Sequence, residues 1–281
     1  VWRLQLRRIE AWRLQLGRLP VLHYFITNIA DSIFQKALSR MKQLAKVGRR
    51  FGFVGEYKRF ASLHRAARPE LTVDWSDRWP QLTDNTGHLP FDEHYVYHTA
   101  WAARVVAKLK PDKHVDISSY TYFATLTSAF VPVEFYDYRP ANITLPNLIC
   151  GAADLCNLQF ADRSLESISC MHTIEHVGMG RYGEPMDASG DLRGLAELQR
   201  VVADGGSLLV VVPVGKPRVQ FNAHRIYDPQ MIEDYLPELR LKQWAMLPDD
   251  ASGGLLHNPS RELALKQRYA CGCFWFHRAS R

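Results

Sequence analysis

From residue 113 onward, short apolar runs alternate with helical segments, and this alternation limits the fold more than any other feature of the sequence. Five strand-like runs lie at 114–118, 133–137, 147–152, 165–173 and 207–214, and two more lie at 241–247 and 269–276. Helical segments are predicted at 91–109, from the end of the first run to about residue 130, and at 190–202. This order is typical of a parallel, doubly wound sheet. We therefore expect one α/β domain over residues 91–281, and the 47% hydrophobic content is sufficient for its core.

The first 66 residues differ from the rest, because they hold 14 Lys and Arg against 3 Asp and Glu. Apolar residues at three- and four-residue steps predict amphipathic helices over 1–19 and 22–46. Residues 67–90 are rich in prolines and turn-formers and are predicted to be a connector. A basic helical arm over 1–66 suits an anionic membrane surface, and it also suits packing on the main domain or in a homo-oligomer. We favour packing slightly, and we expect no nucleic-acid partner, because no recognisable binding motif is present.

Segment hydropathy and cysteine usage bear on the compartment. No run of about 18 apolar residues is present, and the first residues lack the apolar core of a secretion signal. The five cysteines form no CxxC pair, which indicates a reducing compartment. Cys271-Gly272-Cys273 could be a redox or metal pair, but its spacing and the lack of a second pair make this the weaker interpretation. We expect a cytoplasmic protein, with peripheral contact at the inner face of the membrane as an extension through the arm.

Two polar clusters follow strand-like runs, at 172–183 and at 221–225. In α/β enzymes the site lies where strand ends open into loops, so we expect these clusters to form it. Asp137 follows Asp116 by 21 positions, the spacing at which an acidic residue holds ribose hydroxyls. Asp154, after the third run, could accept a hydrogen bond from an adenine amino group. Each Asp taken alone could equally cap a helix or a turn.

Several segments resemble the motifs of class I S-adenosylmethionine-dependent methyltransferases: Asp116-Ile117, Asp137, Ala153-Asp154-Leu155 with Leu158-Gln159-Phe160, and Ile174-Glu175-His176-Val177. Three segments resemble domain-of-unknown-function family 268 more specifically: residues 175–183, Phe221-Asn222-Ala223-His224-Arg225 and Tyr269-Ala270-Cys271-Gly272-Cys273. That family is a methyltransferase-like group associated with bacterial surface-polysaccharide gene clusters. The resemblance covers about residues 91–276. It implies a Rossmann-like class I methyltransferase sheet with helices on both faces. The apolar periodicity of the first 66 residues, which lie outside the resemblance, adds an N-terminal helical extension to this fold.

The resemblance also implies a reaction, the transfer of a methyl group from S-adenosylmethionine to a sugar hydroxyl of a glycan or glycolipid in polysaccharide biosynthesis. The expected cofactor-binding residues are Asp116, Ser118, Asp137, Asp154 and His172. Such a transfer needs a base to take the hydroxyl proton, for which His176 and His224 are the candidates. Glu175 could orient a histidine or position the acceptor. Arg181 and Arg225 suit an anionic acceptor, with Tyr182 and Asn222 completing the acceptor site. Gly178, Gly180 and Gly183 would let the loop wrap the substrate.

Alternatives remain open at this level. Class I methyltransferases usually place a glycine-rich turn after the first acidic residue, whereas this chain has Ser118-Ser119-Tyr120. A non-catalytic methyltransferase-like scaffold that recruits a glycan-assembly partner or a membrane is therefore the second hypothesis. Glycosyl transfer from a nucleotide sugar bound at Asp137 is the third and least supported. A divalent metal held by residues of the 172–176 segment and His224 is a weaker possibility, because no fixed ligand spacing supports it. We expect no metal site.

Overall fold

The computed structural model describes residues 52–280. The predicted helices at 1–19 and 22–46 therefore lie outside the described residues. The division into an arm (1–66), a connector (67–90) and a main domain from residue 91 stays a prediction. Within the described part of the chain, no helix is both long and apolar enough to cross a bilayer.

Contacts divide the chain into two units, with the boundary after Leu89. In the first unit, helix α1 covers residues 52–67, and the following segment up to residue 89 has turns and bends only. The Trp75 ring packs against Phe53 and Tyr57, at centroid distances of 6.0 and 4.8 Å. The Tyr57 hydroxyl also donates to the carbonyl of Val73. The irregular segment thus folds back on α1.

The second unit begins at Pro90 and contains ten strands and five helices among the described residues. The helices are α2 (Glu93–Leu109), α3 (Thr121–Thr127), α4 (Gly190–Val201), α5 (Pro229–Asp234) and α6 (Arg261–Leu265). The strands are β1 (His114–Ile117), β2 (Val133–Asp137), β3 (Leu148–Ala152), β4 (Leu165–Met171), β5 (Val202–Val214), β6 (Arg218–Gln220), β7 (His224–Ile226), β8 (Arg240–Leu247), β9 (Leu256–His257) and β10 (Ala270–His277). Single 3₁₀ turns occur at Ile174–His176 and Ala251–Gly253.

Eight strands form one sheet in the order β3-β2-β1-β4-β5-β10-β8-β9. Strands β1 to β5 pair in parallel, whereas β10 runs antiparallel to both β5 and β8. Strands β6 and β7 form a separate hairpin. The strand order reverses between β1 and β4, because the chain leads outward from β1 to β3 and then continues on the other side of β1. This reversal creates a crevice at the carboxyl ends of the strands.

Helices cover both faces of the sheet. Alternate residues of β5 point into two separate apolar cores, one on each face, and each core contains helical residues. Leu208, Val210 and Val212 pack in the core that holds the buried side of α4. Leu209 and Val211 pack in the core that holds the buried sides of α2 and α3. A strand covered on both faces is continuously apolar, and this accounts for the run at 208–212. The predicted doubly wound α/β class is confirmed.

All seven predicted strands are present. The structure differs from the prediction in strand direction, in the start of one strand and in an additional hairpin, none of which the apolar pattern of the sequence encodes. The predicted parallel sheet contains β10 as an antiparallel member. The fifth strand begins at Val202, because α4 ends one residue earlier and the chain enters the sheet directly. The hairpin of β6 and β7 places the 221–225 cluster in a connection and the start of β7, not directly after a sheet strand.

Candidate active site

Cavity A, of about 430 Å³, lies at the carboxyl ends of β1 to β4, where the strand order reverses. Its lining combines the turn after β1, the ends of β2 and β3, the segment after β4 and the loop 178–188. The predicted site residues on its wall are Ser118, Asp137, Asp154, His172, His176, Arg181 and Tyr182. The structure therefore brings together seven of the twelve residues that the sequence assigns to the site.

The turn after β1 keeps a glycine-like backbone although it contains no glycine. Ser118 has φ 56°, in the left-handed region that favours glycine. Its N–H donates to the carbonyl of Tyr136 at 2.7 Å, and its own carbonyl accepts from Thr173 Oγ1 at 2.8 Å. Hydrogen bonds to β2 and to the segment after β4 thus hold the turn in place. The serine preserves the conformation that lets backbone approach a ligand.

Asp116 does not line cavity A, although the sequence places it among the cofactor-binding residues. Its side chain is fully buried, and Ser169 Oγ donates to its Oδ1. Burial raises the pKa of Asp116 to about 7. We therefore correct its expected role. The Asp116 carboxyl group is enclosed within the sheet, where it bonds to β4, and it does not line cavity A.

Asp137 and Asp154 line the cavity wall, the first as the last residue of β2 and the second shortly after β3. Oδ1 of Asp137 accepts the backbone N–H of Arg139 at 2.8 Å, and Oδ1 of Asp154 accepts that of Cys156 at 2.8 Å. These contacts fix each carboxyl group in a turn. A carboxylate accepts several hydrogen bonds, so each group retains capacity for a ligand hydroxyl or amino group. The turn-stabilising and ligand-binding interpretations are therefore compatible.

The loop 178–188 covers one side of cavity A and depends on Arg225. The Arg225 guanidinium donates to the carbonyls of Val177 (2.7 Å) and Ala188 (3.2 Å), and its Nε lies 3.4 Å from Oδ2 of Asp191. Arg225 is buried and lies outside the wall of cavity A. Its expected role in binding an anionic acceptor is corrected, because its donors already hold both ends of the loop.

Glu175 lies between two histidines after β4. Its Oε1 accepts from Nδ1 of His172 at 2.8 Å and lies 3.8 Å from Nε2 of His176. Nδ1 of His176 donates to the carbonyl of Ala223 at 2.6 Å, so Nε2 is the nitrogen that remains available to another partner. Glu175 itself is completely buried. The expected orienting role of Glu175 thus has a geometric basis.

The remaining predicted residues lie around this centre. His224 stacks on Tyr269 at a centroid distance of 4.6 Å and lies 6.4 Å from the His176 ring, outside cavity A. Burial lowers the pKa of His224. Asn222 is exposed in the β6–β7 connection with φ 61°, so it serves the turn and is not at either cavity. The guanidinium of Arg181 lies over the Tyr182 ring, 5.1 Å from its centroid.

Cavity B, of about 360 Å³, was not anticipated from the sequence. It is lined by Phe91, Asp92, Glu93, His94, Tyr95, His172, Glu175, His176 and Tyr269. The rings of His94 and His172 stack at 5.4 Å, and His94 also stacks on Tyr269 at 5.1 Å. Burial lowers the pKa of His94 to about 4. The aromatic start of α2 is the sequence signal that could have indicated this wall.

The comparisons with known proteins agree with the resemblance seen in the sequence. Residues 154–233 match the family model DUF268, described as a Caenorhabditis protein of unknown function. The DUF268 resemblance is confirmed over that segment. The DUF268 segment contains Glu175, His176 and the loop 178–188, and it ends after Arg225. A search of curated proteins gives no match.

Solved methyltransferase structures are also similar to this chain. The N-methyltransferase NodS from Bradyrhizobium japonicum WM9, in complex with S-adenosyl-L-homocysteine, is 12% identical with a TM-score of 0.47, covering 70% of this chain and 93% of NodS. Geranyl diphosphate methyltransferase in complex with SAM is 13% identical with a TM-score of 0.46, covering 64% of this chain and 85% of that one. The strand order and the helices on both faces give this chain a doubly wound, Rossmann-like α/β fold.

Proposed function

We propose that this chain is an S-adenosylmethionine-dependent O-methyltransferase that acts on a sugar hydroxyl of a glycan or glycolipid. The observation that carries the proposal is a pair of cavities at the carboxyl ends of the strands. Tyr95, His172 and His176 line both of them. Two ligands placed in adjoining cavities with shared walls meet at those residues, as a transfer reaction requires.

Cavity A fits the cofactor. Its volume lies in the range of small-molecule sites, about 300–1,000 Å³, and it occupies the switch point of the sheet. Asp137 would accept the ribose hydroxyls, the backbone at Ser118 would allow close approach, and Asp154 would accept an amino group of the base. When bound, S-adenosylmethionine supplies an electrophilic methyl group. The bound ligand reported for NodS supports the same choice.

His176 is the proposed base. The hydrogen bond from its Nδ1 to Ala223 fixes the tautomer, so Nε2 is free to take a proton from an acceptor hydroxyl. The positive ring that results would lie beside Oε1 of Glu175, 3.8 Å away and shielded from water. His224 would not act as the base. Its ring centroid lies 6.4 Å from that of His176, and it would pack beside the reacting groups as part of the site wall.

Cavity B is the proposed acceptor site. The aromatic rings of Phe91, Tyr95 and Tyr269 offer flat surfaces for the C–H faces of a sugar, and the carboxyl groups of Asp92 and Glu93 can accept from its hydroxyls. This acidic lining favours a neutral acceptor over an anionic one. The association of the family with polysaccharide gene clusters supports a role in polysaccharide biosynthesis.

Location and partners extend the proposal. We place the protein in the cytoplasm, with the basic arm of residues 1–66 contacting an anionic membrane surface at its inner face or a second copy of the chain. Liposome binding and sedimentation, compared with and without residues 1–66, test this part separately. Unchanged behaviour in both assays would leave the arm with a packing role only.

Calorimetric titration with S-adenosylmethionine and S-adenosyl-L-homocysteine tests the central claim. We expect binding by the unchanged protein, at least tenfold weaker binding by Asp137→Ala, and unchanged binding by the exposed control Asp112→Ala. His176→Gln should retain cofactor affinity while transfer to a panel of sugar acceptors falls by about 10²–10⁴-fold. If neither the unchanged protein nor any variant binds either ligand, the proposal is wrong and the hypothesis of a non-catalytic scaffold replaces it.

A further inference from the structure

Three potential metal ligands from distant parts of the chain meet beside cavity B. His94 comes from α2, His172 follows β4, and Cys271 lies on β10. One ligand atom from each lies within 4.8 Å of the other two. His172 and Cys271 are buried, and His94 is half-buried on the cavity wall. The antiparallel direction of β10 is what brings Cys271 to the same sheet edge as His172.

The spacing of two of these atoms matches that of neighbouring ligands on one ion. Nε2 of His172 lies 3.4 Å from Sγ of Cys271. Zinc bonds of about 2.0–2.1 Å to nitrogen and about 2.3 Å to sulfur, at a tetrahedral angle, separate the two atoms by about 3.5 Å. All three ligand atoms lie within 4.8 Å of one another. A small movement of the half-buried His94 side chain would therefore be enough to bring all three to bonding distance of one ion.

His172 is held in the orientation that a metal ligand needs. Its Nδ1 donates to Oε1 of the buried Glu175 at 2.8 Å, and this directs Nε2 toward Cys271. A carboxylate behind a ligating histidine is a recurrent arrangement in metal sites, because it fixes the ring and its tautomer. His172 also has φ 53°, a strained conformation for a residue other than glycine. The structure thus maintains this geometry against a local energetic penalty.

We propose that His94, His172 and Cys271 bind a zinc ion whose fourth coordination position faces cavity B. Two imidazoles and one thiolate form a donor set suited to zinc, and three protein ligands leave one position open. The two positive charges of the ion would be balanced by the Cys271 thiolate and the Glu175 carboxylate, so no net charge is buried. The sequence analysis weighed metal binding only as a weaker possibility and did not group these three residues, because they follow no short spacing.

Metal content and cobalt spectroscopy test the site without reference to methyl transfer. The full chain, purified without a metal-affinity tag, should contain one equivalent of zinc by mass spectrometry. After exchange with Co²⁺ it should show a thiolate-to-cobalt charge-transfer band. Cys271→Ser should lose the band and bind zinc at least tenfold more weakly, and His94→Ala should also bind zinc at least tenfold more weakly.

Cys273→Ser is the matched control, since Cys273 is buried on the same strand with its Sγ 4.0 Å from that of Cys271 but lies outside the ligand group. It should retain both the metal and the band. Circular dichroism confirms that each variant is folded, and cofactor titration of the same samples reports separately on cavity A. Absence of zinc and of the cobalt band in the unchanged protein would overturn the proposal and leave a thiol–imidazole hydrogen bond. Equal losses in the two cysteine variants would also overturn it.

Discussion

Replacing Gly178 by alanine should destabilise the protein much more than replacing Gly183, although both glycines lie in the same loop. Both have positive φ, 79° and 91°, so each alanine would adopt a left-handed conformation that costs about 1–2 kcal/mol. At Gly178 the added Cβ would lie 2.0 Å from the carbonyl oxygen of Asp187. At Gly183 it would meet no atom within 4 Å.

The clash at Gly178 involves backbone, so a side-chain rotation cannot relieve it. Moving Asp187 away breaks the hydrogen bond from its N–H to the carbonyl of Gly178, which is 2.8 Å long and contributes about 1 kcal/mol. With the backbone displacement added, we expect Gly178→Ala to lower the free energy of unfolding by about 3 kcal/mol, against about 1 kcal/mol for Gly183→Ala.

Urea denaturation of both variants measures this difference directly. Gly178→Ala should also weaken cofactor binding, because Gly178 and Asp187 both line cavity A. A difference in unfolding free energy below about 0.5 kcal/mol between the two variants would refute the reasoning, since strain at positive φ would then be the whole effect.

Two further predictions follow from buried polar groups. Arg225→Met should lower the free energy of unfolding by about 3 kcal/mol in urea denaturation, because the buried Asp191 loses its cation and two loop carbonyls lose their donor. Replacing the exposed Arg181 by methionine should cost less than about 1 kcal/mol. Equal losses in the two variants would show that Arg225 does not hold the loop 178–188. Burial raises the pKa of Asp116 from 3.8 to about 7, so between these values the native state binds more protons than the unfolded chain. The free energy of unfolding of the protein should therefore fall as pH rises, by up to about 1.4 kcal/mol per pH unit. Asp116→Asn should reduce this pH dependence in denaturation curves measured at pH 5, 6 and 7. An unchanged pH dependence would rule out Asp116 as its source.

The central part of the sheet was predictable from the sequence because its strands are buried on both faces. Strand β5 is apolar at every position from Leu208 to Val212, and helix α4 separates it from β4 along the chain. Strand direction is not encoded in such a run, so the antiparallel entry of β10 could not be predicted. The β6–β7 hairpin was missed because its strands have only three residues each, mostly polar or exposed.

The site residues that lie at or just after the ends of strands could be predicted from the sequence. Residues whose role depends on contacts with distant parts of the chain could not. Asp137 ends β2 and His176 comes shortly after β4, so their positions in the chain sufficed to place them at the crevice. Arg225 shares a polar cluster with His224, but its partners are main-chain carbonyls, which leave no trace in the sequence. Cys271 was considered for a metal site only together with Cys273, as the weaker interpretation, because its neighbour in space, His172, lies 99 positions away.

The position of β10 also constrains the order in which the protein folds. This strand lies between β5 and β8, and its side chains from Ala270 to Phe276 are buried. In the described sheet, β8 is joined by hydrogen bonds to β9 and β10 and not to any strand of the parallel half. During synthesis, residues 240–257 therefore wait for residues 270–277 before they can join the sheet. The final, long-range pairing is expected to be a slow step, and until it occurs the edge of β5 stays open to association with other chains.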